Sequence, residues 1–268
     1  MKLVVLGSNG YRPNDLGHTA CYTIPELGLI LDAGTGIYRM ADYLQTPQLD
    51  VYLSHDHHDH TYGMVYLVFL FWRKLARDAI ARGDKASLAS IAQSMHVSPP
   101  TVRVHAAEEH LPSVQDPVGK SHSHVLMEYV PLQAAEQLPG GGQLTSFPVE
   151  HFKDQLCFGY RLDHPGGSLA YVTDTYGEPG ASYVDKIRGV DVLLHDCFFP
   201  DDEEEFARRF GHSHSTPVAQ LAAEAGVGRL VLIHLNALRP ELGEPELDRA
   251  QSIFPRTEVA FDRMEIEF

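Results

Sequence analysis

The sequence predicts an α/β layered fold in which short strands alternate with helices. Short apolar runs recur along the chain, helical stretches lie between them, and polar or glycine-containing loops follow the strand ends. With 268 residues the chain is long enough to bury one large core. We therefore expect a single domain over residues 1–268.

The first elements are short strands joined by tight turns. Residues 3–6 form an apolar run that leads into the loop Gly7-Ser8-Asn9-Gly10, which lacks the lysine and the following helix of a phosphate-binding loop. Residues 21–24 and 29–31 are expected to pair as strands. Residues 37–44 fit a short helix, and residues 50–53 form the next strand.

The most informative stretch of the chain follows that strand. It reads Ser54-His55-Asp56-His57-His58-Asp59-His60-Thr61. Imidazole nitrogens and carboxylate oxygens are ligands of divalent metals, and alternate positions on an extended loop can converge. We therefore expect His55 and His57 to hold one metal, with Asp59 and His60 holding a second roughly 3.5–4 Å away, the spacing of two-metal hydrolases.

A helical insertion is predicted over residues 64–100. The apolar run at residues 62–72 is too short to cross a bilayer, which takes about 20 residues, and it is expected to be a buried helix. Residues 85–96 form a second helical stretch that ends at Ser98-Pro99-Pro100. Insertions beside a site commonly shape the substrate pocket.

The alternation continues in the second half of the chain. Strands are predicted at residues 101–106, 126–131, 143–149, 159–162, 168–173, 191–194 and 230–233. A helix is expected to begin at Pro217, with Ser215 or Thr216 as its cap, and to end before Gly226. His122 and His124 lie in a polar connection that no apolar strand delivers, so we do not expect them to bind metal.

The motif His55-x-His57-x-Asp59-His60 after a strand resembles the signature of the metallo-β-lactamase superfamily. The resemblance implies a four-layer αββα sandwich. It also implies three further ligands at strand ends, namely a histidine, an aspartate that bridges the metals and a final histidine. The chain offers His151, Asp174 and His234 in that order, each after a strand-like run.

The resemblance implies the following ligand sets. His55, His57 and His151 would hold the first metal, Asp59, His60 and His234 the second, and Asp174 would bridge them. The expected cofactor is a pair of divalent metal ions. Zinc is the first choice for nitrogen and oxygen ligands, with manganese or iron as alternatives.

Later motifs resemble, in order, the ribonuclease Z and phosphodiesterase branch of that superfamily. They are Asp32-Ala33-Gly34-Thr35-Gly36, the run at residues 191–198, His214-Ser215-Thr216 and Leu232-Ile233-His234. The resemblance implies that Asp59 is a ligand and a candidate general base, and that His214 contacts the scissile phosphate and assists the leaving oxygen. The branch has a His-Glu dipeptide where this chain has His195-Asp196, whose carboxylate is one methylene shorter.

The charge balance indicates the size of the substrate. Lys+Arg 21 against Asp+Glu 36 gives a formal net charge of -15, which repels nucleic acid and anionic membranes over most of the surface. The chain also shows no Gly/Pro-rich basic arm of the kind that grips transfer RNA. We expect a small phosphodiester or cyclic nucleotide as substrate, without extended nucleic-acid binding and without a membrane partner.

Several alternatives stay open. They are a nuclease that processes transfer-RNA 3′ ends, a lactone or thioester hydrolase, and a di-iron redox or metal-sensing protein. The three cysteines, Cys21, Cys157 and Cys197, are far apart and are expected to be buried and unpaired. The N-terminus has no signal-peptide pattern, so a cytoplasmic location is expected. Dimers are common in the branch, which leaves a homodimer open.

Overall fold

The computed structural model describes residues 1–85, 87–118, 125–152 and 155–268. Its strands form two seven-stranded sheets. The first sheet has the order β14-β1-β2-β3-β4-β5-β6, and its strands are β1 (Lys2–Gly7), β2 (Cys21–Ile24), β3 (Leu29–Leu31), β4 (Gln48–Tyr52), β5 (Thr101–Ala106), β6 (Leu126–Pro131) and β14 (Glu265–Glu267).

The second sheet has the order β13-β12-β11-β10-β9-β8-β7. Its strands are β7 (Ala135–Leu138), β8 (Gly142–Glu150), β9 (Leu156–His164), β10 (Gly167–Val172), β11 (Val192–Asp196), β12 (Arg229–Ile233) and β13 (Thr257–Val259). Each sheet is antiparallel on one side and parallel on the other. The parallel strands are β3 to β6 in the first sheet and β10 to β13 in the second. The carboxyl ends of parallel neighbours share one edge, and this geometry gathers the loops that follow them.

The helices connect the parallel strands or follow them. They are α1 (His58–Thr61), α2 (Leu67–Ala81), α3 (Leu88–Val97), α4 (Leu111–Val118), α5 (Val184–Ile187), α6 (Glu204–Phe210), α7 (Ser215–Ala225), α8 (Arg239–Leu242) and α9 (Leu247–Ile253), with 3₁₀ turns at Thr35–Asp42 and Tyr62–Tyr66. Helices α2 and α3 occupy the insertion predicted over residues 64–100. In the part of the chain described, no helix combines the length and the apolar character that crossing a membrane requires.

Three apolar clusters show how the layers pack. Successive strand side chains point to opposite faces, so Leu3 and Val5 pack between the sheets while Val4 and Leu6 face the helices outside the first sheet. The outer face of the second sheet packs against α5, α7 and α9. The layers are therefore helix, sheet, sheet and helix, which confirms the predicted αββα sandwich.

Some element bounds differ from the predictions. The helix expected at residues 37–44 is the 3₁₀ turn Thr35–Asp42, and the apolar helix expected at residues 62–72 begins as a 3₁₀ turn and runs on to Ala81. Strands β7, β13 and β14 were not predicted because they are short and largely polar in sequence. His122 and His124 lie outside the described residues.

The cap of α7 also differs from the prediction. His214, not Ser215 or Thr216, is the N-cap residue, and its side chain makes no capping bond. Instead, the carboxylate of Asp201 accepts hydrogen bonds from the backbone N–H of Thr216 at 3.1 Å and from the Ser215 hydroxyl at 2.9 Å. A carboxylate from another element therefore satisfies one of the free amides of the helix N-terminus.

Candidate metal centre

The predicted ligands come together where strand ends from both sheets meet. His55 and the loop after it follow β4, Asp174 follows β10, and His234 follows β12. His151 directly follows β8. These side chains are buried or half-buried, although they carry polar groups. A buried polar cluster of this kind requires partners that satisfy it.

The carboxylate of Asp174 lies at the centre of the cluster. Its Oδ2 is 3.7 Å from His55 Nε2 and 3.7 Å from His151 Nε2. Its Oδ1 is 3.2 Å from His60 Nε2 and 3.3 Å from His234 Nε2. The two oxygens thus face two different groups of histidines.

The remaining predicted ligands complete each group. His57 has a ring nitrogen within 4.8 Å of the ligand atoms of His55, His151 and Asp174. On the other side, Asp59 Oδ2 is 3.4 Å from His60 Nε2 and 3.2 Å from His234 Nε2. The structure therefore brings together every residue predicted as a metal ligand.

These separations fit bound metal ions. Two ligand atoms at about 2.1 Å from a tetrahedral ion lie about 3.4 Å apart, close to the separations across Asp174. In addition, His55 Nε2 is fully buried and has no hydrogen-bond partner in the protein. A buried ring nitrogen without a partner, surrounded by other ligand atoms, is accounted for by a metal ion.

Backbone strain marks two of these positions. Asp174 and His234 have φ angles of 51° and 54°, in the left-handed region that residues other than glycine seldom occupy. Such conformations cost on the order of 1–3 kcal/mol and cluster at functional sites. Here the strain turns each side chain from its strand end into the cluster.

The charges inside the cluster shift the pKa values of its members in opposite directions. Burial lowers the pKa of His55 well below its usual value, and the nearby His60 adds to this effect. Burial would also lower the pKa of His60, but the carboxylates of Asp174, Asp59 and Asp32 outweigh it and raise that pKa well above normal. Without a metal, the carboxylates therefore favour the doubly protonated form of His60.

Asp32 orients the ring of His60 through its Nδ1 atom, on the side away from the cluster. Its carboxylate is buried and accepts bonds from His60 Nδ1 at 2.7 Å, from the Tyr171 hydroxyl at 2.6 Å and from the backbone N–H of Ser54 at 2.7 Å. Because Nδ1 of His60 donates to this carboxylate, Nε2 is the nitrogen that faces the cluster and would bind a metal. This role was not predicted, although Asp32 belongs to a motif that the sequence showed.

The loop after β1 closes the cluster on another side. The backbone N–H of Tyr11 donates to Asp59 Oδ2 at 2.7 Å. Gly10 lies so close to the ring of His234 that an added Cβ would be 2.3 Å from its Cε1 atom. Glycine is thus required at this position to admit the imidazole.

His212, two residues before the predicted catalytic histidine, lines the cleft. Its ring stacks on that of His234, with centroids 5.2 Å apart and planes at 15°. Its Nδ1 donates to Asp196 Oδ2 at 2.9 Å. Burial would raise the pKa of Asp196, but the neighbouring histidines, His212 first, hold it at about 2, so the carboxylate is ionised and fixes the proton on Nδ1.

The structure does not bring His214 to the cluster. Its Nδ1 bonds Asp201 Oδ1 at 2.8 Å, and its ring lies beside Tyr176 at the start of α7. His195 is also directed elsewhere, since its Nε2 is 2.8 Å from the Tyr183 hydroxyl. The carboxylate beside His214 is therefore that of Asp201, while Asp196 supports His212.

A cleft opens beside the cluster. Its volume is about 480 Å³, and its walls include His57, Asp59, Asp174 and His212. Phenylalanine side chains, which no sequence motif indicated, also line the cleft. A small molecule bound here would touch both the ligand cluster and these side chains.

The four-layer sandwich with a histidine and aspartate cluster at the strand ends defines the metallo-β-lactamase fold. The sequence agrees with this assignment. The chain belongs to the β-lactamase superfamily domain family, whose sequence model matches residues 29–235. The resemblance stated from the motifs is thereby confirmed.

Individual proteins are similar to this chain in sequence or in structure. A ribonuclease Z of Synechococcus sp. (strain CC9605) is 44% identical over 110 residues, which cover 39% of this chain and 34% of that protein's length. Among solved structures, YhfI from Bacillus subtilis matches with a TM-score of 0.74 at 21% identity, covering 100% of this chain and 99% of that one. The short form of human tRNase Z (ELAC1) matches with a TM-score of 0.68 at 18% identity, covering 100% and 99%. The two structural matches establish the fold alone.

Proposed function

We propose that this protein is a metal-dependent phosphodiesterase that acts on a small phosphodiester or a cyclic nucleotide. The observation that carries the proposal is the position of Asp174 between two groups of ligands. His55, His57 and His151 would hold one divalent ion, and Asp59, His60 and His234 the other, with Asp174 shared. Such a pair of ions, zinc in our first expectation, acidifies a water molecule and neutralises charge on a phosphoryl group.

We assign to His212 the role that the motif suggested for His214. Asp196 fixes the proton on Nδ1 of His212, so Nε2 is the nitrogen that can serve a substrate in the cleft. There it would donate a hydrogen bond to a phosphoryl oxygen or a proton to the leaving oxygen. His214 does not line the cleft, and its Nε2 is 3.4 Å from the Tyr176 hydroxyl. Through the bond between its Nδ1 and Asp201 it would act by holding the start of α7.

Asp59 keeps the double role expected from the motif, as a ligand and as a candidate general base. Its Oδ2 faces His60 and His234, and it also accepts the Tyr11 N–H. That third contact would hold the carboxylate in one orientation while a substrate enters.

The cleft and the overall charge support a small substrate. A volume of about 480 Å³ suits a small molecule, and the net charge of -15 opposes a long polyanion. Ribonuclease Z relatives support transfer-RNA 3′ processing as the second candidate. The single-domain organisation, the cytoplasmic location and the homodimer stay predictions.

Turnover of bis(p-nitrophenyl) phosphate by the metal-loaded protein tests the proposal, beside a lactone and a thioester. We expect hydrolysis of the diester alone, with loss of metal and of turnover in Asp174→Ala. Cleavage of the lactone or thioester without the diester would move the function to carbonyl hydrolysis. Metal analysis with a visible-light spectrum identifies the metal and would reveal a di-iron redox centre.

A pair of variants tests the assignment of His212. His212→Ala should keep its metals and lose about a hundredfold or more in kcat, the usual contribution of a positioned proton donor. His214→Ala should lose less, because its ring lies outside the cleft. The reverse order of the two losses would restore the catalytic role to His214.

A further inference from the structure

Phenylalanine rings line part of the cleft beside the ligand cluster. We define the aromatic wall as Phe152, Phe198, Phe199 and Phe210, all of which line the cleft. Ring centroids lie 5.7 Å apart between Phe152 and Phe210, 6.4 Å between Phe199 and Phe210, and 5.1 Å between Phe198 and Phe199. The rings are therefore neighbours and make one continuous apolar surface.

Two members of the aromatic wall are bonded to the segment that carries the proposed proton donor. The backbone N–H groups of Phe198 and Phe199 both donate to the Ser213 carbonyl oxygen at 3.0 Å, and the Ser213 N–H donates to Asp196 at 2.6 Å. The ring of Phe198 also stacks on His212, with centroids 4.9 Å apart. These contacts hold Phe198 and Phe199 next to the group that would act on the substrate.

The aromatic wall is open to a molecule that enters the cleft. Phe210 is 38% exposed, so part of its ring contributes nothing to the folded core. None of the described residues that line the cleft is a lysine or an arginine. An anionic group entering the cleft would be drawn to the ligand cluster, and the rest of the molecule would then lie against the rings.

We propose that the aromatic wall binds an aromatic ring in the ester group of the substrate, which makes the substrate class aryl or nucleobase-bearing phosphodiesters. The proposal rests on the phosphodiesterase function put forward above. The rings offer tilted faces, with Phe152 and Phe210 at 36° to each other. Such faces favour an aromatic ring over an aliphatic group of similar size.

Binding of two phosphonates separates this proposal from the catalytic one. Phenylphosphonate and cyclohexylphosphonate carry the same anionic group and differ in the ring, so the contribution of the metal centre cancels between them. We expect the metal-loaded protein to bind phenylphosphonate about threefold or more tightly in calorimetry. Phe210→Ala should weaken phenylphosphonate binding about fivefold or more and remove the preference.

Phe206→Ala is the matched control. Phe206 lies on the same helix, stacks on Phe210 with centroids 6.3 Å apart and is 50% exposed, but it does not line the cleft. This variant should keep the preference for the phenyl ring. Equal binding of the two phosphonates, binding of neither, or an equal loss in both variants would overturn the proposal.

Activity shows which proposal has failed. If phosphodiester turnover is present but the phenyl preference is absent, only the role of the aromatic wall is wrong. If the preference is present without phosphodiester turnover, the wall binds aromatic anions and the phosphodiesterase function is wrong.

Discussion

Replacing Asp32 by asparagine should weaken metal binding without changing any predicted ligand. Asparagine has the shape of aspartate and tolerates the left-handed backbone of this position, where φ is 56°. The change replaces an acceptor oxygen by an amino group that donates. Oδ2 of Asp32 now accepts from three side chains, those of Ser54, His60 and Tyr171.

The hydroxyl groups of Ser54 and Tyr171 can rotate to accept from the new amino group, but the imidazole can adapt only by changing its tautomer. The proton of His60 would then move from Nδ1 to Nε2, the nitrogen that faces Asp174 at 3.2 Å. A protonated Nε2 cannot bind a metal. Loss of such a second-layer partner typically costs about 10–100-fold in metal affinity, or about 1.4–2.7 kcal/mol.

Competition with a chromophoric chelator measures the two metal affinities separately. We expect the site of Asp59, His60 and His234 to weaken by that factor and the other site to change little. Tyr171→Phe is the control, because it removes one donor to Asp32 and leaves the His60 contact. It should lower the free energy of unfolding by about 1 kcal/mol and leave both affinities within about twofold of the wild type. Wild-type affinities at both sites in Asp32→Asn would refute the reasoning.

Two further predictions concern stability and packing. Burial would raise the pKa of Asp50, but hydrogen bonds from His105 and Arg103 hold it at about 2, below the usual 3.8. The stability that this pKa shift contributes is complete above pH 3.8 and is lost as the pH falls toward 2. Asp50→Asn should therefore lower the free energy of unfolding, measured in urea at pH 7, by about 2 kcal/mol. A difference between wild type and variant that stays constant in acid would contradict this. Gly10→Ala should displace the ring of His234 and weaken metal binding about tenfold, as measured by chelator competition. An unchanged affinity would show that the loop after β1 moves and the ring stays in place.

The ligand cluster could be predicted from the sequence because it follows from local order along the chain. The histidines and aspartates that follow β4 are adjacent in sequence, and His151, Asp174 and His234 each close an apolar strand. Parallel strands bring such ends to one edge of a sheet. The order of the strands and the packing of one sheet on the other then determine which of these strand-end residues come into contact.

The choice between His212 and His214 could not be made in this way. Both occur in the stretch Gly211-His212-Ser213-His214, and both have a buried carboxylate within hydrogen-bonding distance. What separates them is the direction of the backbone between α6 and α7, where the Ser213 N–H bonds Asp196 and the Ser213 carbonyl accepts from Phe198 and Phe199. These are contacts between distant positions, and no local pattern encodes them.

The aromatic wall was missed for a similar reason. Its members come from the end of β8, from the segment after β11 and from the end of α6, so no spacing in the sequence connects them. Phe198-Phe199 was visible as a pair, but an aromatic pair after a strand is equally typical of a packed core. Only the cleft shows that these side chains share a surface with the ligand cluster.

We expect the acidic surface and the ligand cluster together to select substrates by size. At physiological salt the field of a surface charge decays over about 8 Å, and a cleft of about 480 Å³ is itself only about 8 Å across. A small diester inside the cleft therefore experiences mainly the charges of the metal centre, whereas a long RNA also meets acidic groups along its whole length. Because screening weakens that repulsion, added salt should relieve it for RNA and leave a small diester nearly unaffected. A transfer-RNA nuclease that grips its substrate through basic groups would show the opposite dependence, so the sign of the salt effect separates the two candidate functions.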